Sequence, residues 1–186
     1  MISKKICLVG DFNVGKTSLI RRFVDRQFSD RYLSTVGVKI SRKKVELTEM
    51  EGTNNSSVQL LIWDLEGSTK FKAIAPTYLK GSAGAIVVGD LTRQPTIDNI
   101  LNHIKLFLSI NPTGQIIVAL NKVDLLEEKK LEKIMADCEN EVTKAIADCN
   151  ASFERQFCGI YKTSAKTGMG VDEIFQTLTT KIMEES

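Results

Sequence analysis

The sequence predicts an α/β fold: a mostly parallel sheet with helices on both faces. Three observations carry that prediction. Residues 6–9, 85–88 and 115–120 are continuous apolar runs rich in β-branched side chains, the pattern of strands covered on both sides. Helical spacing separates them, as in the stripe Ile100, Ile104 and Leu108 within 99–108. The first run also leads directly into Gly10-Asp11-Phe12-Asn13-Val14-Gly15-Lys16-Thr17, and Ser18 onward reads as the start of a helix. G-x-x-x-x-G-K-T between a strand and a helix is the spacing of a phosphate-binding loop. A strand-to-helix turn without a ligand is the bland alternative, and the complete spacing in this setting argues against it.

The remaining elements follow in order. Residues 25–37 are polar and end in Gly37, which predicts an exposed loop. Residues 38–47 alternate in part, residues 57–63 form a second strand-like run, and 51–56 between them is turn chemistry, so the pair is expected as an antiparallel hairpin. A last short strand at 159–162 brings the expected count to six. It precedes a helix with Ile174, Phe175, Leu178 and Ile182 on one side.

Length and composition are those of one ordinary domain spanning 1–186. With 42% hydrophobic and 26% charged residues, the chain is expected to be neither disordered nor fibrous. A net charge of +2 without a basic block argues against nucleic-acid binding. The apolar run after the basic start is too short for a signal peptide, and no run approaches the roughly 20 residues of a membrane span. Cys7, Cys138, Cys149 and Cys158 lack metal-ligand spacing, so free thiols and a cytoplasmic location are expected.

The loop's chemistry can be assigned by residue type. Successive backbone N–H groups from Asp11, Phe12, Asn13, Val14 and Gly15 into Ser18 would face the α and β phosphates at a helix N-terminus. Lys16 would reach the β and γ phosphates, and the Thr17 hydroxyl would take a position on Mg²⁺. Asp64, at the end of a buried strand, could hold the metal through a water, and the Gly67 N–H could bond a γ-phosphate oxygen. Asn121-Lys122-Val123-Asp124 follows a core strand, where an open α/β sheet presents its ligand loops. The Asp124 carboxylate can accept both donors on the guanine edge, which favours GTP and GDP over adenine nucleotides. The Lys122 stem can cover the base and Asn121 can brace the loops. Ser164-Ala165-Lys166 can supply a backbone N–H to the guanine oxygen and a second lysine stem. Each triplet alone is a polar turn; their order makes the set.

That set resembles the Ras superfamily of small GTPases, nearest to its Rab-like branch, and covers nearly the whole chain. The resemblance implies a six-stranded Ras-like G-domain fold and a molecular switch with slow, Mg²⁺-dependent GTP hydrolysis. It makes Thr35, in Tyr32-Leu33-Ser34-Thr35-Val36-Gly37-Val38, the first-switch ligand of Mg²⁺ and γ-phosphate. It places Phe28 edge-on to the base, with a plain anchoring role as the alternative, and the second switch around residues 71–78. Lys16, Thr35, Gly67 and Ser68 take the catalytic positions. Protein effectors, an exchange factor and a GTPase-activating protein are the implied partners. Trp63 and Tyr78 match two members of an aromatic effector patch, while Ile40 stands where the third is usually phenylalanine.

Departures from the family pattern shape the expectation. Ser68 occupies the position of the glutamine that aligns the attacking water, and its hydroxyl is too short to do the same. Phe12 stands where most relatives have a small residue and could crowd an inserted arginine. A nucleotide-binding interaction module without significant hydrolysis therefore stays open beside the switch. No cysteine follows Cys158, so a stable lipid anchor is not expected. Residues 127–157 exceed the family pattern by about a dozen residues. There Leu131, Met135, Cys138, Val142, Ala145 and Cys149 share one helical face, continued by Phe153 and Phe157. Either this stripe packs on the sheet, or its added turns dock a partner or a second copy. Asn140, Asn150 and Ser152 leave open a break into two helices.

Overall fold

The computed structural model describes residues 2–29, 35–47, 56–67, 75–148 and 152–185. Residues 32–34, the hairpin tip at 51–55, Ser68, Phe71 and Cys149 lie outside them. The elements are β1 (Ile2–Val9), α1 (Lys16–Asp25), β2 (Val38–Leu47), β3 (Ser56–Leu65), α2 (Ala75–Leu79), β4 (Gly84–Asp90), α3 (Gln94–Asp98), α4 (Ile100–Ile110), β5 (Gln115–Asn121), α5 (Glu128–Asp148), α6 (Ser152–Gln156), β6 (Phe157–Lys162) and α7 (Val171–Glu184).

Six strands form one sheet in the order β2-β3-β1-β4-β5-β6. β2 and β3 pair antiparallel, with Val38 opposite Leu65, and all other neighbours pair parallel. The central strands β4 and β5 are buried at every position, as their unbroken apolar runs require. Alternate residues feed two cores. Ile6, Leu8, Ile86 and Val88 meet α1 and α7 on one face, where Phe23 and Phe175 stack at 4.0 Å between ring centroids. Cys7, Val9, Ala85 and Val87 meet α2 through α5 on the other. Every parallel strand thus ends at the same edge of the sheet, and the loops there carry the candidate site.

Several elements differ in extent from their expected bounds. β1 starts at Ile2, because its polar first half pairs with β3 from Ile2 opposite Val58 onward. The helix expected over 99–108 is α4, Ile100–Ile110, and a separate short helix, α3, with Pro95 in its first turn, precedes it. Phe157 does not continue the stripe of α5 but opens β6 opposite Ile116, so strand pairing overrides the helical spacing. α5 runs unbroken through Asn140 to Asp148, and α6 follows as a second, short helix. The stripe of α5 faces inward: Met135, Cys138 and Val142 are buried in the second core, with Leu131 and Ile134 packed against it. Those five residues belong to that core and form no free docking face. Among the described residues, no helix is long and apolar enough to cross a membrane.

Candidate functional site

The phosphate-loop segment leaves β1 through two left-handed turns. Gly10 has φ +145°, and a Cβ there would run into the Val88 carbonyl of β4. Gly15 has φ +103°, and a Cβ there would collide with the Asn121 amide. Only glycine lets this loop close on its neighbours. Asn121 completes the join: its Nδ2 donates to the Val14 carbonyl at 2.9 Å, and its Oδ1 accepts from Thr163 Oγ1 and the Ala165 N–H, both at 3.3 Å. One buried side chain therefore links three loops.

These loops enclose a cavity of about 370 Å³. Its wall holds Phe12, Asn13, Gly15, Lys16, Thr17, Ser18, Phe28, Thr35, Gly67, Asn121, Lys122, Asp124, Ala165 and Lys166, all singled out in the sequence. Asp11, Val14, Asp64 and Ser164 stand behind that wall. Asp11 turns away from it: Oδ1 accepts from Asn99 Nδ2 at 2.7 Å and lies 3.0 Å from His103 Nε2. The Val14 side chain is in the core. Ser164 is fully buried and braces Asp124, donating Oγ–H to Oδ1 at 2.6 Å. Its own N–H goes to the Met169 carbonyl and the Ala165 N–H to Asn121 Oδ1, so the expected backbone donor to a base falls to Lys166. Phe28 combines both of its readings, lining the cavity while packing against the first core.

At the opposite end from Asp124, Lys16 is only 7% exposed and donates to the Gly10 and Asp11 carbonyls at 2.8 Å each. Burial pushes its ammonium down to about 8, against the pull of Asp64 and Asp11. Thr17 Oγ1 donates to Asp64 Oδ2 at 2.5 Å, and Thr35 Oγ1 lies 2.7 Å from Thr17 Oγ1 and 3.3 Å from the same carboxylate oxygen. Burial pushes the Asp64 carboxyl up, opposed by the Thr17 hydrogen bond and the Lys16 charge. Among the described residues, Asp64 Oδ1 is buried without a hydrogen-bond partner. A cation held against these oxygens would meet that deficit, and an anion would meet that of Lys16. Gly67 closes the same corner: a Cβ there would lie 2.6 Å from both the Asp11 carbonyl oxygen and Lys16 Nζ. Three oxygen donors and a glycine cradle beside a buried lysine fit a metal-bound phosphate chain.

Some residues of the site were not singled out in the sequence. Arg21, Ser29, Leu65 and Leu125 also line the cavity. Buried Asp90, at the end of β4, accepts from Lys122 Nζ at 2.7 Å and from Arg93 Nε at 2.9 Å. These two cations in turn grip the loop, Lys122 donating to the Asn13 carbonyl at 3.1 Å and Arg93 to the Phe12 carbonyl at 2.7 Å. In the sequence, Asp90 carries the same signal as Asp64, a carboxylate at the C-terminal end of a buried strand.

Comparison with known proteins agrees with this arrangement. The family model described as Ras family matches residues 5–184. The chain belongs to the Ras family. Its similar proteins include the GTP-binding protein ypt5 of Schizosaccharomyces pombe, 36% identical over 97% of this chain and 78% of its own length. The Ras-related protein Rab-13 of Bos taurus is 32% identical, covering 98% and 81%. The Ras-related protein Rab-22A of Homo sapiens is 31% identical, covering 96% and 82%. Membership brings the Ras-like G-domain fold, which the strand order and the helices on both faces match, and it implies guanine-nucleotide binding.

Proposed function

We propose that the chain is a guanine-nucleotide switch of Rab-like type that binds GTP and GDP with Mg²⁺, hydrolyses GTP slowly and recruits protein effectors in the GTP state. The observation that carries this reading is one cavity with two chemically opposite ends: the Asp124 carboxylate braced by Ser164 at one, and Lys16 with the Thr17, Thr35 and Asp64 oxygens at the other. Asp124 accepts the two donors of a guanine edge, while the Lys122 and Lys166 stems flank the base beside Phe28. Loop N–H groups and Lys16 hold the phosphates. Thr17 and Thr35 would hold the metal directly, and Asp64 would hold it through a water. Mg²⁺, when bound, neutralises charge on the β and γ phosphates and withdraws electrons from phosphorus.

Slow turnover follows from what the chain puts around the γ-phosphate. Ser68 has neither the reach nor the carbonyl of a glutamine to align the attacking water, so the proton and the lone pair are poorly placed for breaking the β–γ bridge. Phe12, 45% exposed at the cavity's edge, obstructs an arginine offered by an activating protein. Effectors would meet the face where Ile40 lies opposite Trp63 and Trp63 lies 6.3 Å from Tyr78 between ring centroids. Loading purified protein with GTP and following GDP formation in a single turnover tests the reading. Slow but complete conversion supports it. GTP that persists for days leaves a nucleotide-binding module in place of an enzyme, and failure to bind GTP or GDP removes both.

A further inference from the structure

We infer that Glu66 is a positioning residue that ties the strand end at Gly67 to the first switch through Gly37 and keeps Gly67 and Thr35 near their GTP-state places when no γ-phosphate is bound. The inference rests on the guanine-nucleotide reading above and makes effector recruitment only weakly dependent on the γ-phosphate. Its basis is a pair of hydrogen bonds closing one ring. The Glu66 N–H donates to the Gly37 carbonyl at 3.0 Å, and the Gly37 N–H donates back to the Glu66 carboxylate at 2.8 Å. The first of these extends the β2–β3 ladder one step beyond Val38 opposite Leu65. The second satisfies a donor at the strand end that would otherwise need water. A carboxylate acceptor makes it a charge-assisted bond, roughly twice as strong as one between neutral groups.

The ring's position gives it a consequence for switching. Gly37 follows Thr35 by two residues at a left-handed bend of φ +72°, and Thr35 is itself held by Thr17 and Asp64. Glu66 directly precedes Gly67, which sits against Lys16 and the Asp11 carbonyl, and the Glu66 charge reaches Lys16. In a γ-phosphate-driven switch, the ligand's oxygens supply the force that draws Thr35 and Gly67 together. Here a carboxylate of the chain joins Gly37, two residues from Thr35, to the residue before Gly67 and does not leave on hydrolysis. Since a ligand shifts a conformational equilibrium only by its differential affinity for the two states, a tie present in both lowers the response to the γ-phosphate.

Hydrogen–deuterium exchange of the segment 35–40 tests this in protein loaded with GDP or with a non-hydrolysable GTP analogue, for wild type, Glu66→Ala and Glu66→Gln. Wild type is expected to show protection in the two states that agrees within about twofold. Glu66→Ala should exchange roughly tenfold or more faster in the GDP form, the size set by losing a bond to a charged acceptor, and change less in the analogue form. Glu66→Gln, which keeps an oxygen acceptor, should retain most of the protection. A wild-type GDP form that exchanges tenfold faster than the analogue form overturns the inference. So does an unchanged Glu66→Ala, or a Glu66→Gln that behaves like alanine. Chromatography of bound nucleotide runs alongside. If no guanine nucleotide is retained, the switch reading fails, while wild type against Glu66→Ala in unloaded protein still decides the tie. Should Glu66→Ala fail to fold by circular dichroism, the two wild-type states and Glu66→Gln give the answer.

Discussion

Ser164 donates its hydroxyl to the Asp124 carboxylate at 2.6 Å, joining two loops that are 40 residues apart in the chain. The same oxygen accepts the Thr167 N–H at 3.1 Å, which fixes the direction of the hydroxyl proton. Asp124 is thereby oriented while its side chain remains open to the cavity. Asp124→Asn should lose discrimination for guanine and shift preference toward xanthine, because an amide offers a donor where guanine also donates. Ser164→Ala should keep guanine preference and weaken binding about fivefold, the worth of one hydrogen bond of roughly 1 kcal/mol. Competition among GTP, XTP and ATP reads both, and equal affinity of the wild type for ATP and GTP is the contrary result.

The contacts among Thr17, Thr35 and Asp64 predict a metal-dependent lock on the nucleotide. Removing Mg²⁺ with a chelator should speed GDP release from the wild type. Thr17→Ala should release GDP faster at the outset and respond little to chelator, since one direct metal ligand is gone. Stopped-flow measurement of a fluorescent GDP decides it. A full chelator response in the mutant would mean that Thr17 does not ligate the metal.

For hydrolysis, Ser68→Gln should raise the single-turnover rate by supplying the missing carbonyl and amide. Phe12→Gly should add to that gain, by more or less than its separate effect, because both substitutions act on the same hydrolysis step. Four proteins, the wild type, both single variants and the double, suffice. If no variant gains, the limiting defect lies elsewhere.

Asp90 predicts a pH dependence. Burial alone would push its carboxyl up, but hydrogen bonds from Lys122, Thr92 and Arg93 outweigh that and hold it below the ordinary carboxylate range. The unfolded chain therefore binds the proton at a higher pH than the folded one. The stabilisation is fully present above the ordinary aspartate value of about 4 and is lost as pH falls through the lower folded value. Asp90→Asn should cost about 1.5–3 kcal/mol at neutral pH and flatten the acid limb of the stability curve. It should also loosen the loop, because Lys122 and Arg93 reach the Asn13 and Phe12 carbonyls from Asp90. Urea melts from pH 3 to pH 7 supply the comparison.

The parts of this fold legible in the sequence are those where a local pattern has one physical solution. Unbroken β-branched runs became the buried strands β4 and β5, and G-x-x-x-x-G-K-T became a strand-to-helix loop whose glycines no other residue could replace. Less legible were features made by distant partners. Ile2 to Lys5 reads as a polar start and becomes strand only through pairing with β3. Nothing local marks Lys122 as a partner for Asp90, or Glu66 as a partner for Gly37, since each depends on a residue brought close by the sheet. Phe157 misleads for the same reason: its helical spacing from α5 is real, but the β5 edge claims it.

α5 is likewise fixed by residues distant in the chain. Its length invites the idea that turns around Asn140 can be removed without touching the nucleotide site. Yet Cys138 is 3% exposed and Val142 is 1% exposed, both in the core that contains Ile104, Phe107, Ile116 and Val118. Only the opposite face, with Glu139, Asn140 and Glu141, is exposed. Deleting three turns there would withdraw Cys138 and Val142 from the sheet and leave β5 uncovered beside the loop that carries Asn121 and Asp124. Val142→Ala, which removes two methyl groups, should cost about 1.5–3 kcal/mol. Asn140→Ala on the exposed face should stay within about 0.5 kcal/mol. Thermal melts with and without GDP compare these variants with the deletion. A deletion that melts like wild type and binds GDP equally well would show that α5 beyond its first turns is dispensable, and that the burial of Cys138 and Val142 carries little of the fold's stability.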